Sequence, residues 1–498
     1  MDLTPHLPAL QVIVPLLAAP LVVLLQPRGL AWAGAMLVAL LAFANAVALA
    51  QGVLDGHVFT YNMGGWEPPF GIMLSVDGLA ALMLLIVSGA GALTLLAARP
   101  SIDAQIEEHR QPLFYAAWLL ALSGLSGIVV SADAFNIFVF MEISSLASYV
   151  LIAGGPDRRA LLAVFKYLIM GTIGATFYLI GVGLIYMMTG TLNMADMEVR
   201  IAEVADARPV LVAAGFITIG LALKAAIFPL HVWLPNAYSS APNLVTVFIA
   251  ACATKVALYV LLRFDFFVFH SNLVDHAVQF TSFLAPLAVL GILLGSAVAV
   301  VESDVKRLLA YSSVAQLGYI LLVASFNDIG GMTAAITLMF NHGLAKGALF
   351  LAVAALALQT SGHRIADISG AAKRLPWTAA ALVISGASLI GIPGTAGFIS
   401  KWLLLQAALA QGPLGIVAVV VIVIGSLAAL VYVWRIIEPL YFGEPESTSA
   451  LKAGSEAPPL MLVALALAAI ANVYFGLVPE VPVSLSELAA QALLENKP

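Results

Sequence analysis

The stretch Asn243-Leu-Val-Thr-Val-Phe-Ile-Ala-Ala-Cys-Ala-Thr-Lys255-Val-Ala-Leu-Tyr-Val-Leu-Leu262 is a long apolar run with one charge, a lysine, near its centre. As a helix it rises about 30 Å, which matches the hydrocarbon thickness of a bilayer. Its apolar residues are continuous rather than alternating, so it reads as a membrane helix and not as a barrel strand. A lysine at that depth costs about 2.5–3.5 kcal/mol on insertion scales. The same few residues therefore set both the fold class and the chemistry to look for.

On either side of this stretch the pattern repeats. The chain holds fourteen such runs, at roughly 5–25, 29–51, 72–97, 112–130, 134–154, 161–188, 210–230, 243–266, 277–301, 306–325, 331–359, 377–406, 413–441 and 459–478. The first run has no basic residue before it and is followed at once by another, so it is not a signal peptide. Of the 498 residues, 62% are hydrophobic and only 10% charged, with mean hydropathy +1.04. About a quarter of a soluble chain is charged, so a secreted domain, a cytosolic enzyme and a nucleic-acid binder are excluded. The net charge of −6 leaves no basic patch for phosphates. The single cysteine, Cys252, excludes a disulfide framework, a cysteine-ligated metal and an iron–sulfur cluster. The sequence has no phosphate-binding loop, dinucleotide fingerprint or haem pattern, so no cofactor or resident metal is expected.

The expected fold is an all-α polytopic membrane protein of about fourteen transmembrane helices. Twelve of the 21 basic residues lie in loops after odd-numbered runs, among them Arg158, Arg159, Lys306 and Arg307. Four lie on the other side: Arg200, Arg208, Arg263 and Lys497. That bias puts the odd loops in the cytoplasm and both termini on the non-cytoplasmic side, which requires an even number of crossings. No loop is long enough to fold alone.

The other five basic residues are lysines inside runs: Lys166, Lys224, Lys255, Lys346 and Lys401, joined by the acid Glu142. Six such charges make a blanket packing explanation poor, because each carries its own insertion penalty. Glu142 is mid-run, where the structural alternative is a carboxyl bonded to a neighbouring serine. A buried lysine beside a carboxylate takes up and releases protons near neutral pH, which suits Lys224 and Lys255. His342 and Lys346 are four residues apart on one helix face and could pass a proton along it. Lys166, near the start of its run, and Lys401, nearer an end, could instead snorkel. His231 follows Pro229 at an apparent break. Pro229 interrupts run seven and Gly391-Ile-Pro393-Gly394 interrupts run twelve. Paired interruptions suggest two inverted-topology repeats about an ion path. The expected segments are 1–111 (three helices), 112–266 and 267–441 (two half-channels), and 442–498 (a loop and the last helix).

Three motifs point to a family. Lys224-Ala-Ala-Ile-Phe-Pro229-Leu-His-Val-Trp-Leu-Pro235, the Glu142 segment ending Ala147-Ser148-Tyr149, and Asp304-Val-Lys306-Arg307-Leu-Leu-Ala-Tyr311-Ser312 resemble the antiporter-like subunits of complex I and its relatives. The loops Gly65-Trp66-Glu67-Pro68-Pro69-Phe70 and Thr189-Gly190-Thr191-Leu192-Asn193-Met194 are similar to the D component of Mrp-type multisubunit cation/proton antiporters. His231 and Asn236-Ala237-Tyr238 look more like complex I or membrane-bound hydrogenase pump subunits. The resemblance implies an ion-paired switch of Glu142 and Lys224, a connecting Lys255, and His342, Lys346 and Lys401 serving the second half, with Lys166 matching a basic residue of some relatives. It also implies partner membrane subunits, a place in the inner cell membrane, and transport of H+ with Na+ or K+. The competing expectations are a pump subunit of a complex I-like or hydrogenase assembly and, from another class, a non-transporting scaffold.

Overall fold

The computed structural model describes residues 3–25, 28–269, 280–360, 362–444 and 456–495. Its helices, in order, are α1 Leu7–Leu24, α2 Arg28–Leu54, α3 Gly78–Leu96, α4 Ala98–Gln105, α5 Gln111–Val130, α6 Ala134–Ala153, α7 Arg159–Thr189, α8 Met194–Ile201, α9 Arg208–Lys224, α10 Trp233–Ser240, α11 Asn243–Arg263, α12 Phe280–Val301, α13 Val305–Ala324, α14 Ile329–Gln359, α15 Pro376–Ile390, α16 Ala396–Ala410, α17 Gly412–Phe442, α18 Pro459–Leu477 and α19 Glu480–Leu494. Among the described residues, twelve helices are long and apolar enough to cross a membrane. The expected runs seven and twelve are each split, into α9 with α10 and α15 with α16.

Contacts between loops fix the crossing count. On one side, His6 rests edge-on against Tyr61 at 5.6 Å, Leu74 bridges Ser131 and Asp133 bridges Asn193. Gly78 packs on the backbone of Leu485 in α19 there too, with no room for a side chain. On the other side, Asn243 N–H donates to Gln105 Oε1 at 3.3 Å and Lys306 Nζ to the Ala241 carbonyl at 2.7 Å. Asp304 bridges Arg364, and Ser369 donates to the Glu444 carbonyl at 3.0 Å. In each of these contacts a loop after an odd crossing meets another odd one, or an even one an even. The alternation requires α9–α10 and α15–α16 each to count as one crossing, which with the twelve long helices makes fourteen, as the apolar runs predict.

The most enclosed helices are not the most apolar: α13 and α14, which carry Lys306, His342 and Lys346, are less hydropathic than the outward-facing α12 and α17. α5, α11, α13 and α14 are buried on nearly every face, whereas α1, α2, α12, α17 and α18 keep an outward face. Leu161, Leu162 and Phe165 on α7 and Ile416 and Val417 on α17 are exposed there, as suits lipid contact. α14 is the hub and packs against α3, α11, α13, α15, α16, α18 and α19.

Several features depart from the sequence expectation. The chain is not wholly helical: β1 Phe59–Asn62 pairs antiparallel with β2 Met73–Val76, Phe59 opposite Val76. After the last crossing, α19 folds back and buries Leu485, Ala489 and Leu493 against α3 and α14. Arg263, expected in a loop, is inside α11, and Lys306 is a buried residue in the first turn of α13. Most of the expected 442–458 loop, with Lys452, and Lys497 lie outside the described residues.

Candidate functional site

α9 ends at Lys224 because the chain turns left-handed there. Ala226 has φ 58°, and the Ile227 N–H donates back to the Ala222 carbonyl at 2.9 Å, a closure of the Schellman type. Pro229 then prevents the helix from resuming. Trp233 Nε1 donates to the freed Leu223 carbonyl at 2.9 Å, so a broken helix at membrane depth is satisfied internally.

At this break, Lys224 Nζ lies 3.6 Å from Glu142 Oε1 of α6 and donates to Ser145 Oγ at 2.8 Å. The lysine side chain is 8% exposed and the glutamate 32%. Glu142 and Ser145 sit three residues apart on α6, so one helix face offers the ammonium both a carboxylate and a hydroxyl. A cavity of about 30 Å³, lined by Ser144, Ser145, Ser148, Tyr167, Lys224 and the α11 residues around Val256 and Val260, adjoins the pair. It has room for about one water and the polar groups to hold it.

Across α11 the second group begins. Ala251 of α11 is close-packed on Gly343 of α14, where a Cβ would lie 3.1 Å from the Ala251 carbonyl. Lys255 Nζ donates to the Ala250 carbonyl at 2.5 Å. Lys346 Nζ donates to the Leu309 carbonyl of α13 at 2.6 Å and to Ser312 Oγ. His342, 2% exposed, has no hydrogen-bond partner on either nitrogen, and it lies within electrostatic range of both lysines. Neither lysine has an ion-pair carboxylate among the described residues, in contrast to Lys224.

The second break stands on glycine. Gly391 has φ 91° and Gly394 φ 85°, backbone that favours glycine. A Cβ on Gly391 would lie 2.7 Å from Lys401 Cδ, so the glycine also gives the lysine its place. Lys401 Nζ donates to Ser426 Oγ of α17 at 2.8 Å and sits 5.4 Å from the Tyr319 ring centroid, a cation–π contact. Asn341, beside His342, anchors α16 by donating to the Ala396 carbonyl at 2.8 Å and to Ser400 Oγ at 2.6 Å. Lys224 precedes its break whereas Lys401 follows the break marked by Pro393.

Two expected residues stand apart from these groups. Lys166 is exposed on the outer face of α7 between Phe165 and Leu168. His231 lies in the short link after Pro229, 5.4 Å from the Phe228 ring and 6.2 Å from that of Tyr311, with Nδ1 unpartnered. Sequence reasoning missed Ser426, Tyr319 and Asn341, whose types carry no signal inside apolar runs, and it placed a serine beside Glu142 as a partner of the carboxyl, whereas Ser145 accepts from Lys224. It also missed two acids. Asp77, which precedes the first residue of α3, caps that helix and pairs with Arg263 at 2.6 Å. Burial pushes its carboxyl up, but the Arg263 guanidinium outweighs this and holds it below the usual carboxylate range. Asp265, two residues on from Arg263, is buried.

Fold and site together define a polytopic membrane protein with ionisable side chains buried at two broken helices and on the helices between them. Residues 131–427 match the family model described as "NADH:quinone oxidoreductase/Mrp antiporter, TM". The chain belongs to this family. It is 41% identical to the N subunit of the NADH-quinone oxidoreductase of Desulforudis audaxviator over 96% of this chain and 97% of that protein. It is 31% identical to the D component of the Na(+)/H(+) antiporter of Bacillus subtilis over 90% of this chain and 88% of that protein. Among solved structures it is similar to a chain of the Mrp complex from Dietzia sp., with TM-score 0.90, 28% identity, and coverage of 100% of this chain and 98% of that one.

Proposed function

We propose that the chain is the proton-translocating subunit of a multisubunit Na+ or K+/H+ antiporter in the inner cell membrane, with both termini on the non-cytoplasmic side. The observation that carries this reading is the Glu142–Lys224 pair at 3.6 Å, set at a helix break beside a small polar cavity. While the pair is closed, the carboxylate holds the ammonium. When it opens, Lys224 loses its counter-charge and passes its proton towards Lys255, and the shift repeats through His342 and Lys346 to Lys401. Serine hydroxyls and backbone carbonyls accept from Lys224, Lys255, Lys346 and Lys401, so each step needs only small side-chain or water movements. His231 is a side branch of this axis through Tyr311, and Lys166 takes no part. Residues 112–266 and 267–441 are the two half-channels, related as inverted repeats.

The 41% identity to a complex I component supports a second reading, in which partner redox subunits drive the same axis as a pump. Flux through the purified, reconstituted complex under imposed sodium, potassium and proton gradients tests both. Cation-coupled proton flux that Lys224→Ala abolishes, in an intact complex, supports the antiporter. Flux appearing only with an electron donor and acceptor supports the pump. Wild-type flux in Lys224→Ala would defeat both.

A further inference from the structure

The helix that carries Lys255 ends in a π-helical turn, Phe264–Val268, closed by Phe269 N–H donating to the Phe264 carbonyl at 2.9 Å. Single π turns within helices often mark functional sites. Asp265 lies in this turn and is 8% exposed. Its Oδ1 accepts from Thr218 Oγ1 of α9 at 3.1 Å, and its Oδ2 is buried without a partner. No cation among the described residues pairs with it. Arg263 is committed to Asp77 at 2.6 Å and to Tyr259 Oη at 3.1 Å.

Either protonation state leaves this carboxyl under-satisfied. Ionised, it is a buried charge with no counter-ion; protonated, its hydroxyl has no acceptor. The surrounding elements do not cure this. α8, α9 and α19 pack on the turn, but Arg200 of α8 pairs with Asp196, and Glu198 of α8, which has an interaction of its own, is an acid and supplies no counter-charge. Arg208 of α9 and Glu480 and Glu487 of α19 are exposed. A group poised between two states, with no fixed counter-charge among the described residues, is suited to exchange a proton.

Its position links it to the axis. Thr218 is six residues before Lys224 on α9, about 9 Å of helix, and Asp265, in the π turn that continues α11, is ten residues after Lys255, about 15 Å. The Lys224 cavity runs along α11 as far as Val260, about 7.5 Å of helix short of Asp265. α8, on the loop side shared with the N-terminus and α19, covers the turn. We infer that Asp265, held by Thr218, is the proton-exchange carboxyl through which the Lys224–Lys255 segment communicates with the membrane face that bears α8. This rests on the proton-translocation reading above.

The test uses the intact reconstituted complex, with flux measured against pH varied separately on each face. In Asp265→Asn, flux falls about a hundredfold, the scale of losing a positioned proton-transfer group, and its dependence on pH at the α8 face flattens. Asp265→Glu restores flux with a shifted midpoint. Infrared difference spectra of the complex between two pH values show a carboxyl carbonyl band that Asp265→Asn removes, independently of transport. Should Asp265→Asn fail to assemble, Thr218→Val takes its place, with a moved midpoint at that face as the expected result and an unmoved one as refutation. Wild-type flux and pH profile in Asp265→Asn, or an unchanged carboxyl band, overturns the proposal. Lys224→Ala run in parallel separates the readings: if it abolishes flux while Asp265→Asn does not, only the Asp265 assignment falls. If Lys224→Ala keeps full flux, the translocation reading falls, and the infrared band alone decides whether Asp265 exchanges protons.

Discussion

Glu142→Gln is the most direct probe of the switch, since it keeps the side chain's shape and removes only its charge. At the observed separation of 3.6 Å, two unit charges attract by about 4.6 kcal/mol at an effective dielectric near 20. The glutamate is 32% exposed, so solvent screening reduces this to about 2 kcal/mol. If closing and opening the pair gates proton transfer, that loss slows turnover about 30-fold, at 1.36 kcal/mol per factor of ten. Lys224 keeps its bond to Ser145, so the fold should survive. The assay is antiport in everted vesicles, followed with a pH-sensitive dye and normalised to the amount of assembled complex. Flux within about twofold of wild type would mean the attraction contributes under about 0.5 kcal/mol to the step, and the switch assignment would be wrong.

The Asp77–Arg263 pair is structural, and Asp77→Ala should lower the stability of the solubilised complex by about 3–5 kcal/mol, because it strands a buried guanidinium; a thermal melt reads this. Asp77 is held below the usual carboxylate range although burial alone would raise it. Its contribution is therefore complete above about pH 4, the ordinary aspartate value, and is lost only as pH falls through the lowered value. A pair-dependent loss of stability setting in near neutral pH would contradict that sign. Gly220→Ala puts a Cβ 2.5 Å from the Gly174 carbonyl and 2.8 Å from Tyr178 N. It should force α7 from α9 at about 1–3 kcal/mol, seen as lower yield of assembled complex. Cys252, fully buried, should resist a membrane-permeant thiol reagent in native membranes and react after denaturation, which mass spectrometry resolves.

The crossings were legible because hydropathy is local: a run either is or is not long enough for the bilayer. The breaks were legible for the same reason, since Pro229 and Pro393 act on their own helices. What a run cannot disclose is its neighbour. Arg263 looked like a loop residue because its counter-ion, Asp77, lies 186 residues away. Asp265 sat at a run's end, where an acid is ordinary; it is interior because α8, α9 and α19 pack over the turn. Lys224 and Glu142 were each visible as misplaced charges, but only family resemblance suggested that they meet. Lys166 was visible by the same criterion and is exposed on an outward helix face. An insertion penalty marks a charge within an apolar run and carries no information about which way that charge faces.

His342 offers the clearest separation of a translocating axis from a scaffold. Both its nitrogens are buried without partners, near two lysines that each donate to backbone carbonyls. A scaffold gains nothing from an imidazole here, because a buried polar group without a partner costs about 1–3 kcal/mol and an apolar side chain of similar size removes that cost. His342→Leu should therefore leave the complex as stable as wild type or more so. In a translocating chain the same change removes a relay between Lys255 and Lys346, and flux should fall by about a hundredfold, the lower end of the range for losing a proton-transfer group. The two readings agree on stability and part on flux. A His342→Leu complex that melts higher and transports normally would place the imidazole outside any relay and break the axis between α11 and α14.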